Sequence, residues 1–176
     1  ADARLSHYLG REFTFHAKYE DAAAELQRSL ELPGSTWAPQ RAEACRLIGK
    51  SCDALGRCTE ALHWYWRAVM EHPDQREPWV DLASALYHRD DFSGGYWAAQ
   101  RALNISERST DYFSEPDAWG ALPHDLSAVC AWRIGMHDVA HRHALQAADL
   151  DPGNDRLQRN VEVTRVSATT DSTALL

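Results

Sequence analysis

No stretch of this sequence is apolar for long enough to cross a bilayer, so membrane insertion is not expected. The first residues, Ala1-Asp2-Ala3-Arg4, carry neither an initiator methionine nor the apolar core of a signal peptide, which suggests a chain beginning inside a longer parent or after a cut. Cysteine is scarce: there are four, none in a Cys-x-x-Cys pair, which argues against a disulfide framework or a structural zinc site and for a reducing, cytoplasmic setting. Positive charge is also short. Eighteen Lys and Arg against 26 Asp and Glu leave a net charge of −8, so nucleic acid is excluded as a partner. No Gly-x-Ser-x-Gly, phosphate loop or Gly-rich dinucleotide fingerprint occurs, and no catalytic residue, metal or cofactor is expected.

What is present is helical periodicity. Apolar residues recur at helical spacing almost throughout, β-branched clusters are rare, and short breaks such as Glu71-His72-Pro73-Asp74 and Asp151-Pro152-Gly153-Asn154 separate the segments. The segments repeat. An offset of 34 carries Ile48, Gly49, Ala61 and Ala68 onto Leu82, Ala83, Gly95 and Ala102. Gly10, Ala22, Leu26 and Ser29 lie 39 residues before Gly49, Ala61, Tyr65 and Ala68, and Ala128, Ala140 and Ala147 lie 45 after Ala83, Gly95 and Ala102. The surplus falls in connections near 34–40 and 107–121, where insertions break no buried hydrogen-bond ladder. Trp79-x-x-Leu82-Ala83-x-x-Leu86, and Ala61-x-x-x-Tyr65-x-x-Ala68 followed by Pro73, resemble the two halves of the tetratricopeptide (TPR) consensus. The expected fold is all-α: a TPR-type superhelical solenoid of about four helix pairs (3–33, 38–73, 76–107 and 118–152) with a capping helix over 153–166 and a disordered tail over 167–176.

Three groups invite a chemical reading. Cys45, Cys52 and Cys58 fall where Trp79, Leu86 and Phe92 fall one repeat later, which makes them core fillers. His137 and His141 have the spacing of a helical metal chelate, with His143 close by, but His137 occupies a core position and no acidic or thiol ligand completes a site. Asp149-Leu-Asp151 imitates a metal-binding Asp-x-Asp, yet it precedes Pro152 at a helix end.

A ligand groove is the better candidate. In TPR stacks the first helices of the pairs line a concave face. Equivalent positions there are His7 and Arg11, Arg46 and Lys50, Ser84, Tyr87 and His88, and Asp125, Trp132 and Arg133. Arg11, Arg46 and Lys50 would form an exposed basic strip suited to a carboxylate, against the alternative of an ordinary solvated face. The long insertion carries Tyr112, Phe113 and Trp119, which either fold back as a plug or meet a partner. Expected partners are a protein or peptide, anionic in one reading, or a second copy of the chain.

Tyr8-Leu-Gly-Arg-Glu-Phe13, Leu30-Glu-Leu-Pro33 followed by Trp37, Arg76-Glu-Pro-Trp79 and Ala118-Trp-Gly-Ala-Leu-Pro123 resemble the C-terminal TPR region of bacterial and phage family 2 glycosyltransferases. That resemblance implies an accessory, non-catalytic role, in acceptor recruitment or oligomerisation, beside a nucleotide-sugar domain whose catalytic residues lie outside this chain. The alternative is a stand-alone TPR scaffold that binds a peptide segment in a regulatory complex.

Overall fold

The computed structural model describes residues 2–110 and 113–173, and side chains as far as 165. The described residues form ten helices and no strand: α1 (Ala3–Phe15), α2 (Tyr19–Glu31), α3 (Ala38–Ala54), α4 (Cys58–Glu71), α5 (Arg76–Tyr87), α6 (Phe92–Leu103), α7 (Pro116–Trp119), α8 (Leu122–Arg133), α9 (His137–Leu150) and α10 (Asp155–Thr173). They fall into two compact units. The N-terminal unit is Ala1–Leu82 with Asp111–Phe113; the C-terminal unit is Ala83–Thr110 with Ser114–Leu176. In the first, α1 packs on α2, α2 on α3 and α3 on α4; in the second, α6 packs on α8, α8 on α9 and α9 on α10.

The pairs are closed by one recurring turn. Ala17, Gly56, Asp90 and Gly135 follow the first helix of each pair with left-handed φ of 56°, 74°, 59° and 81°. Directly after each, a backbone N–H reaches back to a carbonyl of the ending helix: Lys18 to Phe13 at 2.9 Å, Arg57 to Cys52 at 2.8 Å, Asp91 to Leu86 at 3.0 Å and Met136 to Ala131 at 2.9 Å. This is the Schellman pattern, which satisfies carbonyls that the helix end leaves unpaired.

Inside each pair, small residues receive large ones. A Cβ on Gly10 would stand 2.5 Å from Leu26 Cγ, and one on Gly49 would stand 2.7 Å from Tyr65 Cε1. The repeat alignment makes these two contacts equivalent. Ala22, Ala61, Ala68, Ala83, Ala102, Ala140 and Ala147 are likewise buried, so neighbouring backbones approach closely and the large side chains fill the remaining space.

Two expectations need correction. Cys45, Cys52 and Cys130 are buried, but Cys58 is exposed, because it opens α4 where the first turn still faces solvent. The last helix does not stop at 166. It continues to Thr173, since no glycine or proline after Gly153 interrupts it; residues 174–176 lie outside the described part.

Candidate functional site

In the N-terminal unit, α1, α3 and the start of α5 present a polar face built from charges one repeat apart. His7 is fully buried, and its Nε2 lies 2.7 Å from Oε2 of Glu43. Arg11, one turn along α1 and 29% exposed, approaches the other Glu43 oxygen with Nε at 3.7 Å. The next pair of helices repeats the device. Arg46 donates through Nε to Asp81 Oδ2 at 2.6 Å, and Lys50 Nζ lies 3.5 Å from the same oxygen. Burial pushes the Asp81 carboxyl up, but the two cations outweigh it and hold the group below the usual carboxylate range.

This arrangement corrects the sequence reading. His7 and Arg46 do not stand in an exposed row: they are 0% and 1% exposed. The expected bare basic strip is a ladder of ion pairs, because the helix of the following repeat supplies a carboxylate to each. Arg11 and Lys50, the latter with its side chain 36% exposed, are the cations of the set that solvent still reaches. The missed partners had a signal. Glu43 follows His7 by 36 residues and Asp81 follows Arg46 by 35, so opposite charges recur at about the repeat period.

Phe113 of the insertion belongs to this unit and is 2% exposed. Its ring meets His7 edge-on at 5.8 Å between centroids and Trp37 at 5.2 Å with a 43° tilt. Tyr112 lies outside the described residues.

The remaining candidates fall in the C-terminal unit. Arg133 places its guanidinium carbon 3.9 Å from the Phe92 ring centroid, a cation–π contact, and Phe92 in turn packs 6.1 Å from Tyr87. His88 is exposed, and its Nδ1 lies 2.7 Å from the Ser84 carbonyl one turn back. Trp132 borders a cavity of about 160 Å³ with Val129, Val163 and Thr164. Trp119 is half-buried and carries Arg108 at 5.9 Å. The buried carboxylate of Asp125 accepts from Arg156 Nη1 and Nη2 at 3.1 and 2.8 Å and from Asn160 at 3.0 Å, so α8 and α10 share the charge device of the other unit.

The histidines also sort differently from their sequence spacing. His143 pairs with His124 of α8 through Nδ1 atoms 3.1 Å apart, while His141 Nδ1 lies 3.1 Å from the Thr164 hydroxyl. Among the described residues no group of three His, Cys, Asp or Glu is placed to hold a metal. Burial raises the Cys45 thiol to about 12 and the Cys52 and Cys130 thiols to about 11, which keeps these sulfurs protonated and unreactive at neutral pH. No described helix is long and apolar enough to cross a membrane.

No protein-family model matches the sequence, and no curated protein matches it. Solved structures do. MamA from Desulfovibrio magneticus aligns with a TM-score of 0.75 at 13% identity, over 98% of this chain and 89% of that one. YrrB, described as a TPR protein with an unusual peptide-binding site, gives 0.75 at 19% identity over 96% and 78%. The first TPR domain of RPAP3, solved with an HSP90 peptide, gives 0.63 at 14% over 74% and 95%. This chain has the TPR fold. At these identities the likeness establishes the fold, with helix pairs α1–α2, α3–α4, α5–α6 and α8–α9 as TPR units and α10 as the added helix.

Proposed function

We propose that the chain is a non-catalytic interaction module that holds a peptide segment of a partner protein on the α1–α3 face of its N-terminal unit. The observation that carries this reading is the polar ladder itself. His7, Arg11, Glu43, Arg46, Lys50 and Asp81 converge there, and in it Arg11 and Lys50 remain accessible at the edge of fixed ion pairs. Buried charges held in pairs are rigid, so the accessible cations are pre-organised for a carboxylate on the ligand. The peptide-bound RPAP3 domain and the peptide-binding site of YrrB give the same fold that use. Selection of a random peptide library on the purified chain tests the reading. Enrichment of Asp- and Glu-bearing sequences supports it, and enrichment of purely apolar sequences, or of none, contradicts it.

A narrower reading makes the chain the accessory segment of a bacterial family 2 glycosyltransferase, working in the cytoplasm by recruiting an acceptor or by self-association. Its support is the set of sequence segments around Trp37, Trp79 and Trp119, together with four cysteines that form no disulfide. The coding sequence upstream of Ala1 tests it: a nucleotide-sugar domain in frame supports the accessory role, and an unrelated reading frame leaves the stand-alone scaffold.

A further inference from the structure

We infer that Phe113 is an internal stand-in for an aromatic side chain of the partner, so that the partner peptide binds by displacing it. The inference rests on the reading of the α1–α3 face as a peptide site and names what that site takes. Phe113 comes from an insertion that the repeat does not require, yet it is buried against His7 and Trp37, which belong to the first repeat and to the loop before the second. Tyr8 extends the same aromatic surface, 5.9 Å from His7, and both Tyr8 and Trp37 keep substantial exposed area. The cup therefore offers more aromatic contact than one ring uses.

Two further features ask for a backbone as well as a side chain. His7 is pinned by Glu43, a carboxylate that only accepts, so its Nε2 carries a proton and Nδ1 is the ring nitrogen left over. That Nδ1 has no hydrogen-bond partner among the described residues. A buried ring nitrogen of this kind is completed by a backbone group, an N–H or a carbonyl, and an extended peptide supplies both. Trp37 also borders an open cavity of about 570 Å³ lined by Asp2, Arg4, Gly34, Thr36 and Gln40. Its size is that of a ligand pocket, and its Arg4 and Gln40 side chains are polar donors. An aromatic residue in the cup would lead its flanking chain into this polar cavity.

An occupant tethered in the same chain competes at high effective concentration, so the cup is closed to weak ligands and opens to peptides that gain from both parts. Removing the Phe113 ring forfeits its burial, which makes the cup about ten- to a hundredfold more available to an external aromatic residue.

The test uses the chain's own segment as probe. A synthetic peptide of residues 108–116, Arg-Ser-Thr-Asp-Tyr-Phe-Ser-Glu-Pro, is titrated against the full chain and against Phe113→Ala, with folding followed by thermal midpoint. The expected result is binding to F113A at least tenfold tighter than to the unmodified chain, and loss of that binding when the peptide's Phe is replaced by Ala. Equal affinity for the two chains, or indifference to the peptide's Phe, overturns the inference. Should F113A not hold its fold, F113L gives the same test with a smaller gain in the same direction. A probe drawn from the chain itself needs no partner, so its failure is distinguishable from failure of the peptide-site reading, which the charges of Arg11 and Lys50 decide.

Discussion

Nδ1 of His124 and Nδ1 of His143 face each other at 3.1 Å between α8 and α9, and a single proton can lie between them. Gln100 donates from its amide nitrogen to the Ser127 hydroxyl at 3.0 Å and to His143 Nε2 at 3.1 Å. Ser127 donates its own hydroxyl hydrogen bond to the Pro123 carbonyl at 2.8 Å. His143 therefore accepts at Nε2 and donates at Nδ1, and the network is complete only while both rings are neutral. Burial first, then His124 and Arg142, depress His143 to about 4. A histidine with a depressed folded pKa is protonated more readily when unfolded, so its contribution to stability is full above about 6.5 and is lost as pH falls towards 4. Thermal midpoints measured across that window should fall for the native chain and fall less for His143→Gln. Parallel curves would remove His143 from the account.

The left-handed turns make a second prediction. Ala17 and Asp90 hold φ values that favour glycine, at positions where the other two repeats have Gly56 and Gly135. Ala17→Gly should stabilise the chain by about 1 kcal/mol, and Gly135→Ala should destabilise it by a similar amount. Urea midpoints check both, and a destabilised Ala17→Gly would mean that the turn is not under strain.

Close packing gives the third. Gly49 admits no Cβ without moving the Tyr65 ring, whose hydroxyl also donates to Asp53 at 3.0 Å. Gly49→Ala should cost about 1–3 kcal/mol, measured by equilibrium unfolding. A neutral effect would show that the ring is free to shift.

Arg41 carries the fourth. It forms a two-pronged bond to Glu71, with Nε to Oε2 at 2.7 Å and Nη2 to Oε1 at 2.6 Å. Its Nη1 also donates to the carbonyls of Leu30 and Ser35, each at 3.1 Å, so one guanidinium ties the end of α2, the following loop and the end of α4. Hydrogen bonding from Arg41 holds the Glu71 carboxyl below its ordinary value. Arg41→Ala should cost roughly 2 kcal/mol and speed amide hydrogen exchange over 32–37. Unchanged exchange there would contradict the clamp.

The sequence discloses the helix pairs because their signal is local: Gly10, Gly49 and Ala83 recur against Ala22, Ala61 and Gly95, and spacing of this kind survives any choice of partner helix. The site was harder to see. Arg46 reads as an exposed groove cation until Asp81 is known to lie beside it, and nothing in the sequence singles out Arg41. The identity of a counter-charge is set by the neighbouring repeat, and position within one helix carries no record of it. The insertion was legible in composition alone: its aromatic content left open a plug or a partner contact, and Phe113 lies buried against Trp37 and His7.

The most direct test of the interaction surface is the affinity of a library-selected acidic peptide for the chain and for the double variant Arg11→Glu, Lys50→Glu, at low and at physiological salt. Glu at 11 would face Glu43 and Glu at 50 would face Asp81, so folding of the variant is checked by its thermal midpoint, and the milder pair Arg11→Gln, Lys50→Gln is measured beside it. The account predicts at least tenfold weaker binding to the variant, and native binding that weakens as salt rises. Equal affinity of the two folded proteins, insensitive to salt, would contradict a partner seated on the α1–α3 face.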